Sequence, residues 1–131
     1  MFKTALTAGT ICAAIAVALG AFGAHGLKKI ADPATIDIWN KGVTYQFYHS
    51  FALLAAGILF ATFPFSATKW AAYLFITGIV LFSGSLYLLT ALKINAPDSS
   101  LMKVVGPITP LGGLAFIAGW VCLLVAILKK G

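Results

Sequence analysis

Two histidines could exchange a proton near neutral pH or bind a metal ion, and one of them sits among other polar side chains. His49 follows Tyr45 by four residues and Gln46 by three, so Tyr45 and His49 would share one face of a helix. A protein metal site usually takes three or four ligands. His25 would lie at the surface and His49 about 12 Å deep, so the two need not meet. No Cys, Asp or Glu ligand lies in the same half of the bilayer, so we expect no metal and no cofactor.

The residues needed for catalysis or for proton-coupled export are missing. The chain has no glutamate, and its three aspartates, Asp32, Asp37 and Asp98, lie outside the apolar runs. Proton relays inside membranes use Asp, Glu or His side chains, which would leave His49 alone to do the coupling. No nucleophile–base pair and no phosphate-binding loop is present. We therefore expect a protein that is not an enzyme.

The elements that carry these residues are apolar enough for a bilayer. Of 131 residues, 61% are hydrophobic and 9% are charged. The lysines bound four uncharged runs of 24, 27, 23 and 25 residues, and a helix needs about 20 apolar residues to cross the hydrocarbon core. Nine lysines give a net charge of +6. Because they flank apolar runs, they predict contact with membrane lipids and not with nucleic acid.

The runs predict an all-α fold, an integral membrane four-helix bundle with both termini on the same side. One transmembrane domain over residues 1–131 would hold helices at about 4–25, 42–63, 68–92 and 106–128. Asp32-Pro33 is a helix-start signal, which indicates either a short interfacial helix before helix two or an early start of helix two. Thr109-Pro110 reads as a second such signal, which would leave residues 106–108 extended.

Placed on this topology, the polar side chains gather in the half of the bilayer next to the longer loops. With a rise of 1.5 Å per residue, His49 lies about 12 Å below residue 41, and the polar residues of helix three lie about 8 to 14 Å below Leu92. The candidate polar layer or pocket consists of Tyr45, Gln46, His49, Ser83, Ser85, Tyr87, Thr109 and His25. Such residues either form an interhelical hydrogen-bond network or line a pocket open towards the loops.

Small residues predict the helix contacts, because they let helix backbones approach closely in lipid. The glycines expected at such contacts are Gly20, Gly23, Gly84, Gly112, Gly113 and Gly119. The same faces would support a homo-oligomer or contact with another membrane protein.

Four segments, in this order, resemble the family called domain of unknown function 423. They are Gly20 to Leu27 (GAFGAHGL), Tyr45 to His49 (YQFYH), Leu81 to Tyr87 (LFSGSLY), and Pro107 to Trp120 with its PITPLGG and AGW motifs. The resemblance covers nearly the whole chain. It implies a four-helix bacterial inner-membrane protein, related to a eukaryotic transmembrane family, and it brings no established activity.

The leading interpretation is a non-enzymatic structural or accessory component of the bacterial cell membrane. The alternative is a small-molecule or lipid-binding carrier that uses a polar pocket in one half of the bilayer. The two differ in whether the polar layer is a filled network or an open cavity.

Overall fold

The computed structural model describes residues 1–129, and Lys130 and Gly131, the end of the predicted domain, lie outside the described residues. The fold is all-α, as predicted. Its helices are α1 (Lys3–Ala24), α2 (Pro33–Leu59), α3 (Ser66–Gly78), α4 (Gly84–Asn95), α5 (Leu101–Val105) and α6 (Ile108–Leu128). A 3-10 turn, Leu27–Lys29, follows α1, and a π-helical turn, Ile79–Ser83, joins α3 to α4.

Three of the helical segments are long and apolar enough to cross a membrane within the described part of the chain. They are Lys3–Lys29, Ser66–Asn95 and Leu101–Leu128. The helix α2 has 27 residues but is not one of the three. It is the helix that carries Gln46, His49 and Ser50, and such polar residues lower the mean hydropathy.

The start of α2 corrects the predicted boundary at residue 42. Asp32 accepts a hydrogen bond of 2.8 Å from the backbone N–H of Thr35, and Pro33 occupies the first helical position. Hydrogen bonds from Thr35 hold the pKa of the exposed Asp32 carboxyl below its ordinary value. The helix then runs without interruption to Leu59, so Asp32-Pro33 marks an early start of helix two and not a separate interfacial helix. Trp39 is buried on α2 and donates to the carbonyl of Leu19 at 2.8 Å.

The last helix begins at Ile108, close to the predicted residue 106, and Thr109-Pro110 is not its start signal. Residues 106–108 are not extended, because Gly106 and Pro107 both have right-handed helical angles and α6 begins at Ile108. The N–H of Gly106 donates to Met102 and the N–H of Thr109 donates to Gly106, so the backbone stays hydrogen-bonded between α5 and α6. Thr109 therefore does not cap the helix, and its hydroxyl is free to bond elsewhere.

Close glycine contacts pair α1 with α2, and α6 with α3 and the π turn. A Cβ atom added to Gly9 would lie 2.8 Å from the Ser50 carbonyl oxygen, and one added to Gly23 would lie 2.8 Å from the Trp39 ring. On the other pair, a Cβ on Gly112 would lie 2.7 Å from the Cα of Phe82. Real Cβ atoms do not approach so closely, so the helices could not pack this way with larger residues at these positions.

The predicted packing glycines divide into two groups. Gly20, Gly23, Gly112 and Gly119 lie at helix contacts, whereas Gly84 and Gly113 have no neighbouring atom within 3.8 Å of an added Cβ, the nearest being at 4.0 and 3.9 Å. Gly84 follows the π turn, whose extra residue per turn rotates the subsequent side chains away from the face that a regular helix would give them. Gly9 also makes a close contact, and the sequence analysis missed further close contacts at Gly42, Gly57 and Gly78.

Candidate functional site

Gln46 is the centre of a buried hydrogen-bond network that joins three helices. Its side chain is 4% exposed. Its Nε2 donates to the carbonyl of Cys12 on α1 at 2.8 Å, and its Oε1 accepts from the hydroxyl of Tyr87 on α4 at 2.7 Å. An unpaired amide in a bilayer costs free energy, so these two bonds fix where α1 and α4 lie against α2.

Three hydroxyls complete this set. Ser83 donates to the carbonyl of Gly42 at 2.7 Å. Ser85 donates to the Phe82 carbonyl at 2.9 Å, so the hydroxyl of Thr109 must donate to Ser85 in their 2.6 Å contact, which links α6 to α4. We call Gln46, Ser83, Ser85, Tyr87 and Thr109 the interior polar layer. Among the described residues, no buried side-chain nitrogen or oxygen lacks a hydrogen-bond partner. The layer is therefore a filled network.

His49 lies outside this layer and faces α6. Its Nδ1 is 2.8 Å from the carbonyl oxygen of Tyr45, and its Nε2 is 3.2 Å from the indole Nε1 of Trp120. A carbonyl only accepts and an indole N–H only donates, so Nδ1 carries the proton and Nε2 is the acceptor. The ring also stacks on Phe116, with centroids 3.4 Å apart and planes 8° from parallel. His49 is thus a neutral bridge between α2 and α6.

This bridge crosses a groove on the outside of the bundle. The helix α6 is held against α3 and the π turn by its glycines, and it makes little direct backbone contact with α2. The space between α2 and α6 is a cavity of about 780 Å³, which we call the α2–α6 groove. It is lined by Tyr45, Tyr48, His49, Phe51, Phe82, Gly113, Phe116, Ile117 and Trp120. Most of these side chains are aromatic and several are exposed, so the groove opens to the surroundings of the bundle.

The depth of His49 follows from the register of α1 against α2. Gly9 contacts Leu53 and Gly20 contacts Val43, which puts His49 level with the middle of α1. Gln46 lies at a similar level, because it bonds to Cys12, but its side chain faces α1 and α4. Direction, and not depth, therefore separates His49 from the interior polar layer. His25 caps the end of α1, is exposed, and does not join either group. The single layer predicted from the sequence is thus three separate features.

No ligand set for a metal ion occurs in the described part of the chain. Both ring nitrogens of His49 are used within the protein. The partners of His49 were missed from the sequence, where Phe116 and Trp120 read as part of an apolar run. Their spacing of four residues, which puts both on one helix face, is the signal that could have indicated them.

The membrane character and the four motifs agree with a family match. The model of the family described as "Protein of unknown function (DUF423)" matches residues 19–113. The chain belongs to this family.

Relatives in the family are named as membrane proteins. A UPF0382 membrane protein of Staphylococcus aureus (strain bovine RF122 / ET3-1) is 42% identical over 127 residues, which cover 97% of both chains. The UPF0382 membrane protein YwdK of Bacillus subtilis (strain 168) is 40% identical over 128 residues, which cover 97% of this chain and 98% of the relative. No solved structure matches. The family resemblance is confirmed, and the chain is a membrane protein.

Proposed function

We propose that this protein is a non-enzymatic accessory component of the bacterial cell (inner) membrane, acting through contacts with lipids or with other membrane proteins. The observation that carries the proposal is the filled interior polar layer. The polar side chains of this layer form hydrogen bonds to other helical segments of the protein. A catalytic or transport site needs groups that are free to meet a substrate, and helix packing does not.

The placement in the membrane is part of the same proposal. All four long helices, including α2, cross the bilayer, with both termini on one side. The helix α2 is enclosed by α1 on one flank and by α3 and α4 on the other, so its buried polar residues Gln46, His49 and Ser50 face protein. The relatives come from Staphylococcus and Bacillus, in agreement with a bacterial cell membrane. Protease protection of tags at the two ends, in spheroplasts and in inverted vesicles, tests the shared side.

The experiment that tests the non-enzymatic role compares small molecules and lipids in three strains. One lacks the gene, one carries the wild-type protein, and one carries the double variant Gln46→Leu/Tyr87→Phe at matched abundance. An enzyme whose site is the polar layer would make the variant strain accumulate the same substrate as the deletion strain. We expect the variant strain to match the wild type, and a shared accumulated compound would refute the proposal.

A second candidate is favoured by the α2–α6 groove. A cavity of about 780 Å³ lies within the range of small-molecule sites, about 300–1,000 Å³. Its apolar and aromatic lining, level with the middle of α1, suits the hydrocarbon part of a membrane lipid. This candidate is a protein that carries or holds a lipid. Its site is on the outside of the bundle, whereas the sequence analysis placed the pocket among the polar residues. Lipid retained by the purified protein, measured by native mass spectrometry, tests it.

A further inference from the structure

One exposed face of α2 changes from polar to aromatic along its length. The exposed positions recur every three or four residues, so they form one continuous stripe. They are Asp37, Asn40, Lys41, Thr44, Tyr45, Tyr48 and Phe51. The first four are polar and the last three are aromatic. A stripe with this order matches an amphiphile that has a polar head and an apolar chain.

Two neighbouring cavities lie along this stripe. A recess of about 310 Å³ is lined by Asp37, Asn40, Lys41, Thr44 and Tyr45. Tyr45 lines the α2–α6 groove as well, so the recess and the groove meet at this side chain. Lys41 is the last charged residue before 27 uncharged ones, which puts the recess at the edge of the hydrocarbon region and the groove within it.

The charges of the recess are balanced. Asp37 and Lys41 are four residues apart on α2, and both are exposed. Within residues 1–129 neither of them enters an ion pair, so both charges remain available to a ligand. One carboxylate and one ammonium, with an amide and a hydroxyl beside them, complement a headgroup that carries one charge of each sign. A headgroup with negative charge alone would be repelled by Asp37.

We propose that this face of α2 binds one phospholipid whose headgroup carries both a phosphate and a primary ammonium. Lys41 pairs with the phosphate and Asp37 accepts from the ammonium. One acyl chain follows the stripe past Tyr45 into the α2–α6 groove, where it lies against Phe82 and Phe116. This proposal rests on the second candidate function, because it specifies the lipid that the groove would hold.

The test titrates the purified full chain in detergent with three lipids that have identical acyl chains. Phosphatidylethanolamine carries the primary ammonium, phosphatidylcholine carries an ammonium without N–H groups, and phosphatidylglycerol is anionic. Native mass spectrometry measures the bound fraction. We expect phosphatidylethanolamine to be retained about fivefold better than either of the others, equivalent to about 1 kcal/mol. Phosphatidylcholine has no N–H group to donate to Asp37, and phosphatidylglycerol has no ammonium to place beside it.

Two charge variants assign the headgroup. Asp37→Asn should remove the preference for phosphatidylethanolamine, and Lys41→Gln should weaken retention of all three lipids about fivefold. The matched controls are Asp98→Asn and Lys103→Gln, which remove the same charges from the segment between α4 and α6 and should change nothing. Equal retention of the three lipids by the wild type, or a preference for phosphatidylglycerol, would overturn the proposal.

A variant in the groove tests lipid binding in the α2–α6 groove separately from the headgroup assignment. A Cβ on Gly113 has no neighbour within 3.8 Å, and Gly113 lines the groove, so the larger side chain of Gly113→Leu would occupy groove space. If Gly113→Leu lowers retention of every lipid while Asp37→Asn leaves the preference intact, the headgroup assignment is wrong and the groove stands. If Gly113→Leu has no effect at an unchanged unfolding midpoint, the groove holds no chain and both fail. A dimer that buries the stripe, found by cross-linking at Tyr48→Cys, would also overturn the proposal.

Discussion

The hydrogen bond between Tyr87 and Gln46 gives the sharpest test of the interior polar layer. Tyr87→Phe removes the hydroxyl that donates to Gln46 Oε1 at 2.7 Å, and Gln46→Leu removes both its bond from Tyr87 and its bond to Cys12. Either change leaves a partner unsatisfied in a nearly water-free site. An orphaned buried polar group costs about 1–3 kcal/mol, so each single variant should lose about 1–2 kcal/mol of unfolding free energy.

The double variant gives the coupling between the two residues. Once one partner is gone, removal of the other costs less, so the double variant should lose less than the two single losses together. Interhelical hydrogen bonds in membranes average about 0.6 kcal/mol and reach about 1.7 kcal/mol, which sets the expected coupling. Unfolding by a denaturing detergent, followed by circular dichroism, measures all four proteins in one lipid–detergent mixture.

The matched control is Tyr48→Phe, which removes the same hydroxyl from a side chain that is 58% exposed. It should change stability by no more than about 0.5 kcal/mol. The contrary result is a coupling free energy of zero, with each single variant losing no more unfolding free energy than Tyr48→Phe. It would mean that water already satisfies Gln46 and Tyr87. The layer would then be an open polar pocket, and the reasoning for an accessory role would fail.

Two further predictions concern a helix contact and a helix cap. Gly112→Ala should destabilise the bundle by about 1–3 kcal/mol because its Cβ meets the backbone of Phe82, whereas Gly113→Ala should be neutral or stabilise by up to about 1 kcal/mol. Asp32→Ala should lower the thermal midpoint at neutral pH. Asp32→Asn should keep most of the stabilisation by the cap, because the amide oxygen still accepts from the N–H of Thr35. Thermal unfolding in detergent measures both.

The sign of the pH dependence at Asp32 follows from its lowered pKa. A carboxyl whose pKa is lower in the folded protein stabilises the fold above its ordinary value of about 3.9, and that contribution is lost as the pH falls towards the folded value. The wild-type advantage over Asp32→Ala should therefore shrink below about pH 4, and Asp32→Asn should lack this acid-dependent loss. An unchanged advantage at acid pH, or equal effects of Gly112→Ala and Gly113→Ala, would contradict these accounts.

The fold was predictable because the bilayer imposes simple rules on a chain of this composition. Four uncharged runs between lysines specify four long helices, and Asp32-Pro33 specifies the start of α2 once the interfacial helix is rejected. The π turn at Ile79–Ser83 was not predictable, since regular helical periodicity contains no signal for one extra residue in a turn. Gly84, which was predicted to lie at a helix contact, follows this turn and makes no close contact.

The candidate site was predictable in its residues but not in its partners. Gln46 and His49 were both identified because polar side chains in the hydrocarbon core of a membrane cost free energy and therefore need partners. The direction of each side chain depends on how α2 is rotated about its axis between α1 and α6. That rotation depends on glycine contacts between residues far apart in the sequence. Gln46 consequently faces Tyr87 inside the bundle, and His49 faces Trp120 at the groove. The sequence analysis had placed Gln46 and His49 in a single polar layer.

The central claim has two parts. The interior polar layer is filled by its own hydrogen bonds, and the α2–α6 groove is open to lipid. Trp120 reports on the groove directly, since its indole is 47% exposed and donates to His49. The measurement is tryptophan fluorescence in bilayers whose acyl chains carry bromine near the middle, with Trp120→Phe as the subtraction control. We predict that the Trp120 emission is strongly quenched by brominated chains and not by iodide in water. Quenching by iodide, with none by brominated chains, would contradict the account.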